Sequence, residues 1–111
     1  PNTDFPSDYI LMQNYPNPFL SAAKSRSGDN VGTTIRFEIP PSLANAPARL
    51  AIYNVRGELV RELLNRQLPA GNHVARWDGR NDTDFEVASG IYFCRLQVGN
   101  AAGIRKLSLI K

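Results

Sequence analysis

The 111-residue sequence contains a single cysteine, Cys94, and a single histidine, His73. One thiol cannot close an intramolecular disulfide, and a multi-cysteine metal site is excluded on the same count. Cys94 therefore reads as a small buried hydrophobe. A nucleophilic role would require a positioned base, and His73 is the one imidazole that could serve. Long hydrophobic runs are missing as well, since no stretch approaches the roughly eighteen apolar residues that cross a bilayer as a helix. Pro1 opens the chain with neither a basic n-region nor an apolar h-region and without an initiating Met. The chain thus reads as an excised or processed piece of a larger protein, with export of that parent open. Clustered positive charge is absent too. The net charge of +3 arises from 13 basic and 10 acidic residues, and the arginines scatter from Arg26 to Arg105. A nucleic-acid binder would gather them into a stripe with interleaved aromatics, so that partner class is set aside. Gly57, Gly71, Gly79 and Gly90 fall at turn positions, and none forms a phosphate-binding motif.

What is present is a succession of short strand signals. At this length, with 42% hydrophobic and 21% charged residues, one domain with one core is expected. Pro1 to Tyr9 is polar and proline-containing, as at the end of an interdomain linker, which leaves 10–111 as the folded module. The first ordered piece is expected at Ile10 to Asn14. Tyr15-Pro16-Asn17-Pro18-Phe19 follows as a rigid extended crossing, because proline fixes φ and biases its predecessor away from helix. A Ser-, Ala- and Gly-rich loop spans Leu20 to Gly32. Thr33 to Ile39 then alternates, with Ile35, Phe37 and Ile39 on one face. Ala48 to Val55 forms the next strand, with Leu50 and Ile52 inward. Glu58 to Gln67 is ambiguous: Leu59, Val60, Leu63, Leu64 and the following Leu68 fit a helical face as well as an irregular strand. Its flanking turns at Gly57 and Pro69-Ala70-Gly71 favour the strand. His73, Ala75 and Trp77 share an inward face, and Trp77 is the expected core anchor. Ile91 to Val98 places Tyr92, Cys94, Leu96 and Val98 together, and Ile104 to Ile110 closes the domain after a turn at Gly99 to Gly103. Seven short antiparallel strands in this length predict an all-β, immunoglobulin-like sandwich.

Several residues invite a sharper chemistry. Asp78, Asn81, Asp82, Asp84 and Glu86 crowd one short segment with oxygen donors, a weak calcium candidate that lacks the EF-hand pattern. The reading preferred over it is an ordinary turn in which Asp and Asn cap backbone N–H groups. As paired carboxylates for glycoside hydrolysis, Asp82, Asp84 and Glu86 face no second acidic cluster. Carbohydrate binding through exposed aromatics would need Tyr9, Tyr15, Phe19 or Phe85, and it rests on fold analogy alone. His73 reads as a hydrogen-bonded core or edge histidine. Tyr92, just after Gly90, occupies the place of a tyrosine corner, whose hydroxyl ties a late strand to the preceding loop. No catalytic constellation, cofactor or metal is expected.

A family resemblance accounts for the order of these pieces. Leu11-Met12-Gln13-Asn14-Tyr15-Pro16-Asn17-Pro18-Phe19, Thr33-Thr34-Ile35-Arg36-Phe37 and Leu50-Ala51-Ile52-Tyr53-Asn54-Val55-Arg56-Gly57 are followed by Leu68-Pro69-Ala70-Gly71-Asn72-His73 and Trp77-Asp78-Gly79-Arg80. Val87-Ala88-Ser89-Gly90-Ile91-Tyr92-Phe93 and Arg105-Lys106-Leu107-Ser108-Leu109-Ile110-Lys111 complete the series. The series resembles the type A C-terminal sorting domain of type IX secretion cargo and is similar to the immunoglobulin-like domain of the flagellar hook-capping protein. It departs from the family in the longer Leu20 to Gly32 loop and in Cys94, where an aromatic or aliphatic residue is common. The resemblance implies a non-catalytic sandwich at the C-terminus of exported proteins of Bacteroidota and related bacteria, following a cargo domain in the same chain. It implies recognition in the periplasm by the type IX machinery, removal by a sortase-like peptidase in many cargoes, and delivery to the cell surface or medium. The final hairpin is then the expected recognition surface, with Gly90, Tyr92, Arg105, Lys106, Leu107 and Lys111 as sorting-signal candidates. Structural, hook-cap-like or carbohydrate-binding accessory roles are the alternatives.

Overall fold

Alternating apolar residues drive two sheets together in the computed structural model, which describes residues 10–20 and 32–110. The linker expected over 1–9, the interior of the loop expected over 20–32, and Lys111 lie outside the described residues. The strands are β1 (Phe19–Leu20), β2 (Thr33–Ile39), β3 (Pro47–Tyr53), β4 (Leu59–Gln67), β5 (Gly71–Trp77), β6 (Gly90–Val98) and β7 (Ala101–Ile110). A five-stranded sheet runs in the order β1-β7-β6-β3-β4 and faces a two-stranded sheet of β2 and β5. All contacts between neighbouring strands are antiparallel except that of β1 with β7. The architecture is an immunoglobulin-like β-sandwich, as the strand spacing predicts.

Its core is the sum of the inward faces. Ile35, Phe37 and Ile39 of β2 and Trp77 of β5 meet Leu50 and Ile52 of β3, Tyr92, Cys94, Leu96 and Val98 of β6, and Leu107 and Leu109 of β7. Burying each large aliphatic or aromatic side chain contributes about 1.5 to 3 kcal/mol before the entropy of ordering the chain is set against it. Phe19 and Trp77 pack with ring centroids 5.4 Å apart, and Trp77 and Tyr92 at 5.3 Å in an edge-on arrangement.

The segment that mimicked a helix is β4, and its register explains the mimicry. Leu50 pairs with Leu64 but Ala51 pairs with Glu62; Ile52 pairs with Arg61 but Tyr53 pairs with Leu59. Leu63 and Val60 are therefore extra residues at two bulges, and both pack against the core. A bulge puts two adjacent residues opposite one and breaks strict alternation. The apolar doublets Leu59-Val60 and Leu63-Leu64 are the trace of that break.

Three boundaries differ from expectation. Ile10 to Asn14 is no strand: it runs beside β2 through single bridges of Leu11 to Phe37 and Tyr15 to Thr34. Its polar side chains take up local roles instead, with Asn14 donating to Thr33 Oγ1 at 2.9 Å and Gln13 donating to the Lys106 carbonyl at 2.9 Å. Both peptide bonds preceding Pro16 and Pro18 are cis. The first strand is Phe19–Leu20, parallel to β7. β7 itself begins at Ala101, so the turn is confined to Gly99-Asn100, and β3 ends at Tyr53 ahead of a tight turn to Glu58.

Candidate functional site

The acidic segment is the first candidate, and the fold commits oxygens of Asp78, Asn81 and Asp82 to turn and edge duties, while Glu86 Oε1 is buried without a hydrogen-bond partner among the described residues. Asn81 Oδ1 accepts from the backbone N–H of Thr83 and of Phe85, both at 3.0 Å, and from the Thr83 hydroxyl at 2.8 Å. Asp82 Oδ1 accepts from the Glu62 N–H at 3.1 Å, while the Asp82 N–H donates to the Val60 carbonyl at 3.0 Å. The turn thereby pairs with part of the outer edge of β4, which would otherwise offer free backbone groups to another chain. Asp78 accepts from the Arg80 N–H at 3.0 Å and lies 4.0 Å from Arg61; Asp84 lies 3.7 Å from Arg80. Glu86 bridges to Arg80 through the backbone. Among the described residues no group of three or more His, Cys, Asp or Glu side chains is placed to hold a metal ion.

The two residues that could have made a nucleophilic pair are engaged elsewhere. His73 stacks on Phe37 at 5.4 Å, and its Nε2 donates to the Pro69 carbonyl at 2.8 Å. Cys94 is buried, and desolvation pushes its thiol from 9.0 up to about 12. The sign follows directly. Below pH 9.0 the thiol is protonated in both states; between pH 9.0 and about 12 the unfolded chain ionises while the folded one does not, so stability falls through that window. Urea midpoints of wild type and Cys94→Ala are expected to converge as the pH rises from 9 to 11, relative to their separation at pH 7. A thiol reagent should leave Cys94 unmodified in the native protein and label it at once in urea.

Of the aromatics suggested for sugar stacking, Phe19 is corrected by burial: it is 1% exposed and sits against Trp77. Tyr15 is 77% and Phe85 69% exposed, on separate elements, and Tyr9 lies outside the described residues. Tyr92 does form the corner, its hydroxyl donating to the Ala88 carbonyl at 2.6 Å, and burial raises its pKa.

The final hairpin draws the sorting-signal candidates together. Gly90 pairs with Leu109, Tyr92 with Leu107, Phe93 with Lys106 and Cys94 with Arg105. Tyr92 and Leu107 point into the core, and Lys106 is exposed on the outer face. Arg105 is half-buried, its Nη1 donating to the Ile104 carbonyl at 3.3 Å. Gly90 sits at φ 150°, where a side chain would be strained although the space is open. Lys111 lies outside the described residues. The hairpin is clamped on both flanks, by β3 along β6 and by β1 along β7. Asn17 Oδ1 adds a bond from the Ser108 N–H at 2.9 Å.

Sequence reasoning missed the outer face of the five-stranded sheet. Cross-strand pairing sets Tyr53, Phe93 and Lys106 in one row and Ala51, Arg95 and Ile104 in the next. Arg49, paired with Gln97, occupies a third. Ala51 is the small member and is buried beneath its larger neighbours, with Arg49 and Tyr53 two residues away on either side along β3. Arg49 reaches along this face, donating from Nε to Glu62 at 2.7 Å and from Nη1 to the Tyr53 hydroxyl at 2.8 Å. These two bonds, Glu62 first, raise the pKa of Arg49 further.

Comparison with known proteins was made on the sequence and on the fold. The FlgD Ig-like domain family model matches residues 23–102. None of the curated proteins matches the chain. Among solved structures the chain is similar to PorZ of Porphyromonas gingivalis, described as an essential bacterial surface component of the type-IX secretion system, with a TM-score of 0.57 at 18% identity. The match covers 91% of this chain and 11% of that one, so the chain spans about a ninth of PorZ. At this identity the likeness establishes a common fold.

Proposed function

The chain belongs to the FlgD Ig-like domain family, and from that premise we propose that it is a non-catalytic secretion and sorting module of a larger exported protein, read by the type IX machinery. On this reading residues 1–9 end a linker from the cargo domain, 10–111 form the module, and a sortase-like peptidase can release it at the cell surface. The observation that carries the proposal is the final hairpin: β6 and β7 pair from Gly90–Leu109 to Val98–Ala101 without a register shift. Buried Tyr92 and Leu107 fix its inner side, while Lys106 is offered outward. A folded element clamped on both flanks suits a signal that a receptor must recognise as shape. The likeness to PorZ, itself described as part of that secretion system, supports the same setting. A second reading, a structural domain of hook-cap type, is favoured by the family match.

The two readings separate in a reporter experiment. Residues 1–111 are fused behind a signal peptide and a fluorescent reporter in a type IX-competent Bacteroidota host and in its translocon-deficient counterpart. Sorting predicts reporter on the surface or in the medium of the first strain and in the periplasm of the second. Periplasmic retention in both would overturn the sorting role and leave the structural one.

A further inference from the structure

We propose that the outer face of the five-stranded sheet is a docking trough for an extended acidic peptide segment with interspersed apolar side chains. The trough has two connected hollows. One, of about 450 Å³, is lined by Tyr53, Val55, Phe93, Arg95 and Ile104 among others. The second, of about 350 Å³, continues past the same Tyr53 and Arg95 to Arg49 and Gln97. From Pro47 to Tyr53 the pair follows β3 for about 20 Å at the usual rise per residue of a strand, and it ends at Val55 in the turn that follows, a shape suited to an extended chain.

The chemistry of the lining selects the partner. Val55 and Ile104 expose more than half of their surface, and Leu59, opposite Tyr53 in β4, nearly half. Such side chains on one face favour an apolar counterpart. Arg49 is neutralised by Glu62 at 2.7 Å. Arg95, in contrast, makes no ion pair or side-chain hydrogen bond among the described residues, and neither does Lys106 in the adjoining row of the same face. The other carboxylate at this end, Glu58, is 3.5 Å from Arg56 and accepts from Asn54. Two uncompensated cations therefore flank an aromatic and aliphatic strip. A guanidinium beside apolar surface favours a carboxylate that it can meet with two parallel hydrogen bonds, and a like-charged partner is repelled. An extended acidic segment supplies both elements: carboxylates for Arg95 and Lys106, and apolar side chains for Val55, Phe93 and Ile104. This inference does not depend on the export route of the parent protein.

The test is a titration of the isotope-labelled chain with a blocked octapeptide of alternating glutamate and leucine, followed by amide chemical shifts. Shifts centred on Tyr53, Phe93, Arg95 and Ile104 are expected, and the lysine–leucine octapeptide should produce none. Arg95→Glu, at an exposed position, should keep the native spectrum and weaken binding at least tenfold, with Arg95→Gln in between. Equal binding by Arg95→Glu, or shifts elsewhere on the domain, would overturn the proposal. So would the same shifts arising on concentration of the protein alone, which would assign the face to a second copy of the chain.

Discussion

Replacing Trp77 by alanine is expected to lower the unfolding free energy by about 3 to 5 kcal/mol, the range for truncating a large buried aromatic. A domain of this size has only about 5 to 15 kcal/mol in total, so a substantial share of the molecule's margin is at stake. The cost is high because the indole joins three parts of the sandwich. It stands at the end of β5, packs against Phe19 of β1 and Tyr92 of β6, and donates its Nε1 hydrogen to the Arg80 carbonyl at 2.8 Å. Trp77→Phe keeps ring contacts but leaves that carbonyl without its donor, so an intermediate loss is expected. Urea unfolding followed by circular dichroism measures both, since Trp77 is the only tryptophan and fluorescence disappears with it. A midpoint shift equivalent to less than about 1 kcal/mol in Trp77→Ala would mean that the neighbouring rings collapse into the space.

Trp77 also marks what can be read from sequence in this fold. Where a strand has one face buried and no bulge, alternation identifies its inward residues: Ile35, Phe37 and Ile39 in β2, and Tyr92, Cys94, Leu96 and Val98 in β6, all lie in the core. Tyr92 was legible as a corner because its position after Gly90 and ahead of the β6 core residues carries the information locally. Alternation fails where pairing is irregular. The bulges in β4 leave a pattern that two periods fit equally, and only the register against β3 decides between them. It fails again at Ile10 to Asn14, where an apolar pair at Ile10-Leu11 suggested a strand but the backbone makes isolated bridges to β2. The acidic segment reads as a turn, but its composition alone does not say what fixes it. The same Asp and Asn residues serve a metal loop or a turn, and the outcome depends on the distant partners Val60, Glu62 and Arg61.

The trough illustrates the limit most clearly. Each strand shows which residues share a face, but the hollow exists only because β3, β6 and β7 bring Tyr53 beside Phe93 and Arg95 beside Ile104. A slip of one residue in either pairing would turn one strand's set to the opposite face. The sorting candidates among the described residues, by contrast, lie close together on one hairpin, so their grouping is local and their order is enough to suggest it. The proposed docking surface and the proposed sorting signal thus draw on the same two strands, β6 and β7.

Gly32→Ala is expected to destabilise the domain by about 2 to 4 kcal/mol, combining about 1 to 2 kcal/mol for a left-handed backbone with the cost of overpacking. Gly32 adopts φ 76°, and a Cβ there would lie 2.5 Å from the Trp77 carbonyl oxygen, closer than any real methyl can approach. The backbone cannot easily yield. The Gly32 N–H donates to the Leu20 carbonyl at 3.0 Å, and the next residue, Thr33, pairs with Trp77. Thr33 is itself fully buried, its hydroxyl donating to the Pro16 carbonyl at 2.8 Å and accepting from Asn14. One glycine thus sits where β1, β2 and β5 converge, and moving it disturbs all three. Gly57→Ala is the control, because Gly57 has φ 82° with nothing within 4 Å of the added carbon. It should incur the conformational part alone, about 1 to 2 kcal/mol. Equal urea midpoints for the two variants would show that the close approach to Trp77 carries no energetic weight; a distinctly lower midpoint for Gly32→Ala assigns the excess to that contact.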